Sequence, residues 1–383
     1  MRGMNYESGI LMHSVWRGLN PPVIFHGHND VMLWGMSNEE RVLRLIKAQK
    51  VAETLNEAGC IWVNLAYAFD PQWLAHITNQ PDTVVTMNGV PVLAHLTERR
   101  MASRLEDGRI DKGALQSIEY TSNPQIYNHS LRKLETPFLS ELTRDTVAMI
   151  ERQSYYGAYK GVTDILTKYL WPELALWLTR IAARLGMTPN MVTAIGAVGC
   201  ISAIFLFAMG WFWSGIAAGF VFMVLDTVDG KLARCTITSS FWGNVFDHGL
   251  DLVHPPFWWV AWIVGLGAVG LPLSQGQYEF VMISVLGGYA AQRAIEGVFI
   301  KGFGQHIHVW RPFDSWFRLI TARRNPNMVL LVASLLIGRP DLGMIAVAWW
   351  TIISLVVHAV RTVQAYYVKA SGNRITSWLQ EAA

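Results

Sequence analysis

A run of 41 residues, from Leu185 to Leu225, contains no Asp, Glu, Lys or Arg. No other feature constrains the fold as strongly. As one α-helix the run would extend about 60 Å, roughly twice the hydrocarbon thickness of a bilayer. It must double back, and Gly210-Trp211-Phe212-Trp213-Ser214-Gly215 offers a turn whose aromatic residues suit a membrane interface. A second charge-free stretch lies between Asp251 and Glu279, interrupted at Gly270-Leu271-Pro272 and Ser274-Gln275-Gly276. Shorter apolar runs follow at 280–292, 327–338 and 342–360. These segments predict six membrane helices, near 190–210, 214–234, 240–268, 277–300, 326–339 and 341–367.

Composition agrees with a membrane chain only in its second part. Of 383 residues, 52% are hydrophobic and 15% charged, against about 25% charged in a soluble domain. Residues 1–150 hold 14 Lys+Arg and 16 Asp+Glu; the remainder holds 17 Lys+Arg, 12 Asp+Glu and 13 of the 17 Trp. A net charge of +3 gives a nucleic-acid partner no support. Cys60, Cys200 and Cys235 are too few and too scattered for a disulfide framework or a zinc finger. Met1–Pro22 lacks the apolar core of a signal peptide.

Loop charge orients the spans. Lys231 and Arg234 sit at the second connection, Lys301, Arg311, Arg318, Arg323 and Arg324 at the fourth, and Lys369 and Arg374 after the last helix, whereas the opposite loops offer only Arg339. The positive-inside rule then places both termini and the basic loops in the cytoplasm of a cell-membrane protein. Before the first span, Leu174, Trp177, Leu178, Ile181 and Leu185 recur at helical spacing behind Pro172. This pattern fits an amphipathic helix on the membrane face, or a surface helix linking domains. The expected fold is an all-α polytopic bundle with this juxtamembrane helix, preceded by a soluble α/β domain. The boundaries run 1–150 for that domain, 151–187 for linker and amphipathic helix, 188–370 for the bundle and 371–383 for a cytoplasmic tail.

Four carboxylates carry the chemistry. Asp226 and Asp229 stand three residues apart, Asp247 and Asp251 four apart, so each pair shares a helix face. The two helices are antiparallel neighbours with a short loop, and the pairs converge near the cytoplasmic interface. Carboxylates crowded in a low dielectric repel, and each is costly in a membrane. All-oxygen ligation suits Mg²⁺, Mn²⁺ or Ca²⁺. Two ions about 4 Å apart would balance the charge and clamp a diphosphate. Gly230, Ala233 and Gly243 leave room for a ligand or for close helix packing.

With its spacing, this segment resembles the CDP-alcohol phosphotransferases, whose signature is D-x2-D-G-x2-A-R-x8-G-x3-D-x3-D. Asp226, Asp229, Gly230, Ala233, Arg234, Gly243, Asp247 and Asp251 fill every fixed position, and the resemblance covers roughly residues 160–370. It implies transfer of a phosphoryl-alcohol group from a CDP-alcohol to an acceptor hydroxyl with release of CMP, as in phospholipid biosynthesis, by a homodimer. It also implies that Asp226, Asp229, Asp247 and Asp251 ligate two Mg²⁺ or Mn²⁺ ions, that Asp251 serves as general base, and that Gly230, Ala233 and Gly243 shape the cytidine pocket. Arg234 either pairs with phosphate or anchors its helix.

A phosphorylated acceptor would need buried cations. Arg293, inside the fourth helix, and Arg361, with His358 one turn away, are the candidates; alternatively Arg293 pairs with Glu296 and Arg361 snorkels. His254-Pro255-Pro256 reads as a kink, Lys160, Asp164 and Lys168 as a solvated linker, and His306 and His308 as loop residues. In the N-terminal part, apolar stretches at 23–25, 60–65 and 84–87 alternate with helical patterns. In outline this resembles the nucleotidyltransferase-like domain that some members of the family carry. The G-x-G-T-R loop of that superfamily is absent, so a degenerate accessory domain is expected; an active one would make the protein bifunctional. His26-Gly27-His28-Asn29-Asp30 reads as a turn with exposed histidines. An ion-coupled transporter using the aspartates is the alternative from another class, but no second copy of their pattern is visible.

Overall fold

The structure is a computed structural model that describes residues 23–56, 58–106, 115–120, 125–128 and 131–381, without the side chains of Asn244 and Asp247. Met1–Pro22 lies outside the described residues. By internal contacts the chain divides into two units. One comprises Met1–Gln125 with Thr136–Gly157, the other Ile126–Glu135 with Ala158–Ala383.

The first unit is α/β. Its strands are β1 (Val23–His26), β2 (Cys60–Asn64), β3 (Tyr67–Phe69), β4 (Thr83–Met87), β5 (Val90–Leu96) and β6 (Gln116–Glu119), with helices α1 (Asn38–Ala48), α2 (Pro71–Thr78) and α3 (Ala102–Glu106) between them. Five strands form a mixed sheet in the order β1-β2-β5-β4-β6. β1 runs parallel to β2 and β4 parallel to β6, while the β4–β5 hairpin is antiparallel. β2 is buried along its whole length, as an apolar strand covered on both faces must be. Cys60, Trp62, Val84, Ala94, Leu96 and Leu105 close one core. α1 starts where the Ser37 hydroxyl accepts from the Glu40 amide, and α2 where Asp70 accepts from Gln72 ahead of Pro71. The turn after β1 leaves the His28–Asp30 pair exposed, as expected.

The second unit contains a hairpin, β7 (Ile126–Asn128) and β8 (Lys133–Glu135), followed in the chain by β9 (Leu139–Glu141) and α4 (Val147–Gly157) of the first unit. The helices after that are α5 (Pro172–Arg184), α6 (Pro189–Ala208), α7 (Phe212–Cys235), α8 (Phe241–Ala268), α9 (Gln275–Met282), α10 (Gly288–Phe303), α11 (Pro312–Phe317), α12 (Arg324–Leu336), α13 (Pro340–Ala370) and α14 (Trp378–Glu381). The predicted amphipathic segment is α5. The helix expected over 277–300 is divided, because a π-turn at Ile283–Gly287 separates α9 from α10.

Among the described residues, α6 and α13 are long and apolar enough to cross a membrane, with mean hydropathies of 2.3 and 1.9. α6 begins at Thr188, whose hydroxyl accepts from the Met191 amide, with Pro189 at the first helical position. It ends at the expected turn, where Gly210 adopts φ +78°. α6 and α8 approach so closely that a Cβ on Gly265 would lie 1.9 Å from the Phe207 carbonyl oxygen. In α8, Pro256 has no N–H for the Leu252 carbonyl four residues earlier. The Tyr289 hydroxyl of α10 donates to that carbonyl instead, at 2.9 Å. His254 contributes to the same irregular turn through a 2.6 Å hydrogen bond between its Nδ1 and the Leu250 carbonyl.

Candidate active site

The C-terminal half of α7 carries Asp226, Asp229, Gly230, Ala233 and Arg234, and the N-terminal half of α8 carries Gly243, Asp247 and Asp251. A third helix joins them. Arg324, the first residue of α12, donates through Nη2 to Asp226 Oδ2 and through Nη1 to Asp251 Oδ1, each at 2.8 Å. Its Nε donates to the Asn325 carboxamide at 3.0 Å, and its guanidinium lies 4.9 Å from the Phe222 ring centroid. One cation therefore already bridges one carboxylate from each of the two helices. The donor set is all carboxylate oxygen, the chemistry that hard divalent ions select, and the guanidinium marks where positive charge is held. Asp229 is buried on the α6 side, where its Oδ2 accepts from the Thr193 hydroxyl. The Asp247 side chain lies outside the described residues.

Asp226, Asp251 and Arg324 line a cavity of about 480 Å³ in the second unit, and Asp229 is not part of its lining. Gly230 lies on its wall, and a Cβ there would meet Arg234 Nη2 at 3.1 Å. Arg234 donates from Nε to the Ala158 carbonyl at 3.0 Å, so it ties the end of α7 to the incoming chain. Lys231 is buried with its ammonium 3.0 Å from the Tyr159 ring centroid. The segment read as a solvated linker is partly buried: Asp164 is 7% exposed and accepts from the Thr167 amide and hydroxyl and from Asn325 Nδ2. Burial of Asp164 follows from the side-chain bonds it makes to a distant helix, which no local pattern encodes.

The cavity is also lined by cations: Arg132, Arg293, Arg318 and Arg323 line it with His306, and Glu296 is the acid among them. Glu296 Oε1 accepts from Arg323 Nη2 at 2.5 Å and Arg293 Nη2 at 3.1 Å, and lies 3.3 Å from His308 Nε2. One carboxylate cannot saturate so many donors. Nε of Arg293, Nη1 of Arg318 and Nε of Arg323 are enclosed without a hydrogen-bond partner. Burial, then the Arg323 charge, lowers the Arg318 guanidinium to about 9 and also lowers Arg132. Burial, then Arg132, brings the His306 imidazole down to about 4.

Arg293 pairs with Glu296 and also lines the cavity. Arg361 does not reach it. Its Nε and Nη2 hold Asp314 at 2.7 and 2.9 Å, its guanidinium lies 4.4 Å from the Trp310 ring centroid, and it lines a separate shallow groove. Ala233 and Gly243 are likewise outside the cavity lining; Gly243 packs at the start of α8, where its amide donates to Ser240 Oγ. His308, in the short turn between α10 and α11, is buried, and with Glu296 and His358 it places three possible ligand atoms within 4.8 Å of one another. Arg323 Nη2 already contacts both Glu296 and His308 there, so a guanidinium holds the position a metal ion would take.

Residues 186–293 match the CDP-alcohol phosphatidyltransferase family. The second unit carries a CDP-alcohol phosphatidyltransferase domain. Among curated proteins, the chain is similar to the phosphatidylinositol phosphate synthase of Cutibacterium acnes, 33% identical over 82 residues, or 21% of this chain and 40% of that protein. It is also similar to human cholinephosphotransferase 1, 30% identical over 138 residues, 33% of this chain and 32% of the other. The matches therefore span well under half the length of these relatives. Among solved structures, the phosphatidylinositol phosphate synthase of Mycobacterium tuberculosis with CDP-DAG bound aligns with a TM-score of 0.38 and 17% identity, covering 49% of this chain and 93% of that one. The family match ends at Arg293, so the signature aspartates lie inside the phosphatidyltransferase domain, whereas Arg318, Arg323 and Arg324 lie beyond the matched stretch.

Proposed function

We propose that the protein is an integral membrane CDP-alcohol phosphotransferase, which moves a phosphoryl-alcohol group from a CDP-alcohol to an acceptor hydroxyl and releases CMP. The complete aspartate signature on two adjoining helices, with Asp226 and Asp251 lining one cavity, carries this reading. Six helices span the bilayer in it, with both termini and the site cytoplasmic, and two copies form a dimer. Asp226, Asp229, Asp247 and Asp251 hold two Mg²⁺ or Mn²⁺ ions. Those ions supply charge neutralisation at the phosphoryl oxygens.

The chain's own groups do the rest. Gly230 keeps the α7 surface low so that the nucleotide can lie against it. Asp251, at the open side of the cavity, takes the proton of the attacking hydroxyl. The acceptor carries a phosphate group, seated at Arg293, Arg318 and Arg323. Unpartnered N–H groups on buried guanidiniums are costly, and a phosphate offers the planar pairing they lack. The α/β unit has no transferase activity of its own.

CMP release by purified protein tests this, with CDP-alcohols crossed against acceptors with and without a phosphate, in Mg²⁺ or Mn²⁺. Metal-dependent release that needs a phosphorylated acceptor is expected. Release with neutral acceptors alone would refute the assignment of the arginines, and no release with any pair would refute the activity.

A further inference from the structure

The hairpin β7–β8 is separated from the helical domain in sequence, yet it belongs to the helical unit by contact. A two-stranded hairpin is marginal by itself, so something must hold it. The Gly161 amide donates to the Leu131 carbonyl at 2.8 Å, and a Cβ on Gly161 would lie 2.5 Å from Lys133 Cβ and 2.6 Å from the Arg132 carbonyl oxygen. Only glycine permits that approach. On the hairpin side, the Asn128 carboxamide oxygen accepts from the Leu131 amide at 3.0 Å, shaping the turn that leads into β8.

Arg132 follows with φ +53°, a left-handed conformation that a non-glycine residue adopts at a cost of about 1 kcal/mol or more. The docked turn places its side chain in the lining of the cavity, where Arg323, Arg318, His306 and Glu296 are its charged neighbours. Among the described residues no hydrogen bond or ion pair engages its guanidinium. A guanidinium delivered by a strained turn beside Arg318 and Arg323 meets burial and repulsion that Glu296 only partly offsets. An anion shared with Arg318 and Arg323 would repay it.

We propose that β7–β8 is a clamp that sets specificity for a phosphomonoester-bearing acceptor, with Arg132 as the residue that closes on the phosphate opposite Arg318 and Arg323. The proposal rests on the phosphorylated-acceptor reading above, and its test separates the two. Inorganic phosphate is the probe, titrated into detergent-solubilised full-length protein by calorimetry and by thermal unfolding, with CMP binding in Mg²⁺ as the control. Arg132→Gln should weaken phosphate about tenfold, the value of one charge-assisted contact. It should leave CMP binding intact and, because like charges are relieved, raise the unfolding temperature without phosphate. Arg132→Lys should recover part of the affinity. Gly161→Ala should reproduce the loss by displacing the hairpin without changing its charge.

Unchanged phosphate affinity in Arg132→Gln, with affinity lost in Arg323→Gln, would remove the hairpin from the site and leave the phosphorylated-acceptor reading standing. Loss of CMP binding together with phosphate would make Arg132 structural and overturn the clamp. No saturable phosphate binding by the unaltered protein would overturn both.

Discussion

Replacing Arg324 by Gln tests whether its guanidinium and divalent ions compete for the same carboxylates. Arg324 makes two charge-assisted bonds of 2.8 Å, one to Asp226, whose side chain is 16% exposed, and one to Asp251, which is 45% exposed. Hydrogen bonds to charged groups are worth about 1.5–3 kcal/mol each when enclosed. The half-exposed Asp251 contact counts near the bottom of the surface range, under about 1 kcal/mol. The guanidinium thus contributes about 2–3 kcal/mol that a divalent ion must displace before it can take both carboxylates. Each 1.4 kcal/mol or so is tenfold in affinity, so Arg324→Gln should bind Mn²⁺ about 30- to 140-fold more tightly. In EDTA the variant leaves carboxylates without their counter-cation, so its unfolding temperature should fall, and Mn²⁺ should restore it by more than it raises that of the unaltered protein. Mn²⁺ affinity is read by electron paramagnetic resonance of the free ion, and stability by intrinsic tryptophan fluorescence. Equal or weaker Mn²⁺ binding in the variant would refute the competition.

Asp251→Asn should lower CMP release by about 10²–10⁴-fold while CMP still binds, because the proton acceptor is lost and the cavity is not; undiminished turnover would exclude the role. Tyr289→Phe should cost about 1–2 kcal/mol in denaturant unfolding, since the Leu252 carbonyl facing Pro256 loses its donor. Burial holds the His308 imidazole well below its ordinary value. The unfolded chain then binds the proton first, so this contribution to stability is full above about pH 6.5 and declines as the pH falls below it. His308→Gln should flatten that part of the stability curve. CTP supplied with phosphoalcohols should give no CDP-alcohol, checked by chromatography of the nucleotide products.

The helices were legible because their determinants are local. Thr188-Pro189, Pro172 and Ser240 start α6, α5 and α8 where hydroxyl caps and N1 prolines dictate, and Gly210 closes α6 because the chain must reverse. The division of α9 from α10 was hidden, since nothing in Ile283–Gly287 distinguishes a π-turn from α-helix in composition. Asp226 and Asp251 were legible by spacing on adjoining helices. Arg324 was not, although it stood among the basic loop residues used for orientation. Its role depends on α12 starting at that residue and on 2.8 Å contacts to chain 98 and 73 residues away. Arg361 misleads for a related reason: a helical arginine near a histidine resembles a cavity cation, and only the fold shows that Asp314 of α11 claims it.

The lining of the cavity is unevenly charged. Asp164, Asp226, Asp251 and Glu296 stand there against Arg132, Lys160, Lys231, Arg234, Arg293, Arg318, Arg323 and Arg324. Arg324 is engaged by Asp226 and Asp251, whereas Arg293 and Arg323 share Glu296 and each still keeps an enclosed N–H without a partner. A lining with more cations than carboxylates favours an anionic ligand. A ligand with a diphosphate at one end and a phosphate at the other would meet both groups, the diphosphate through cations held by the aspartates. Arg323→Gln should therefore impair acceptor use before it impairs nucleotide binding, read by comparing CMP affinity with the acceptor dependence of CMP release.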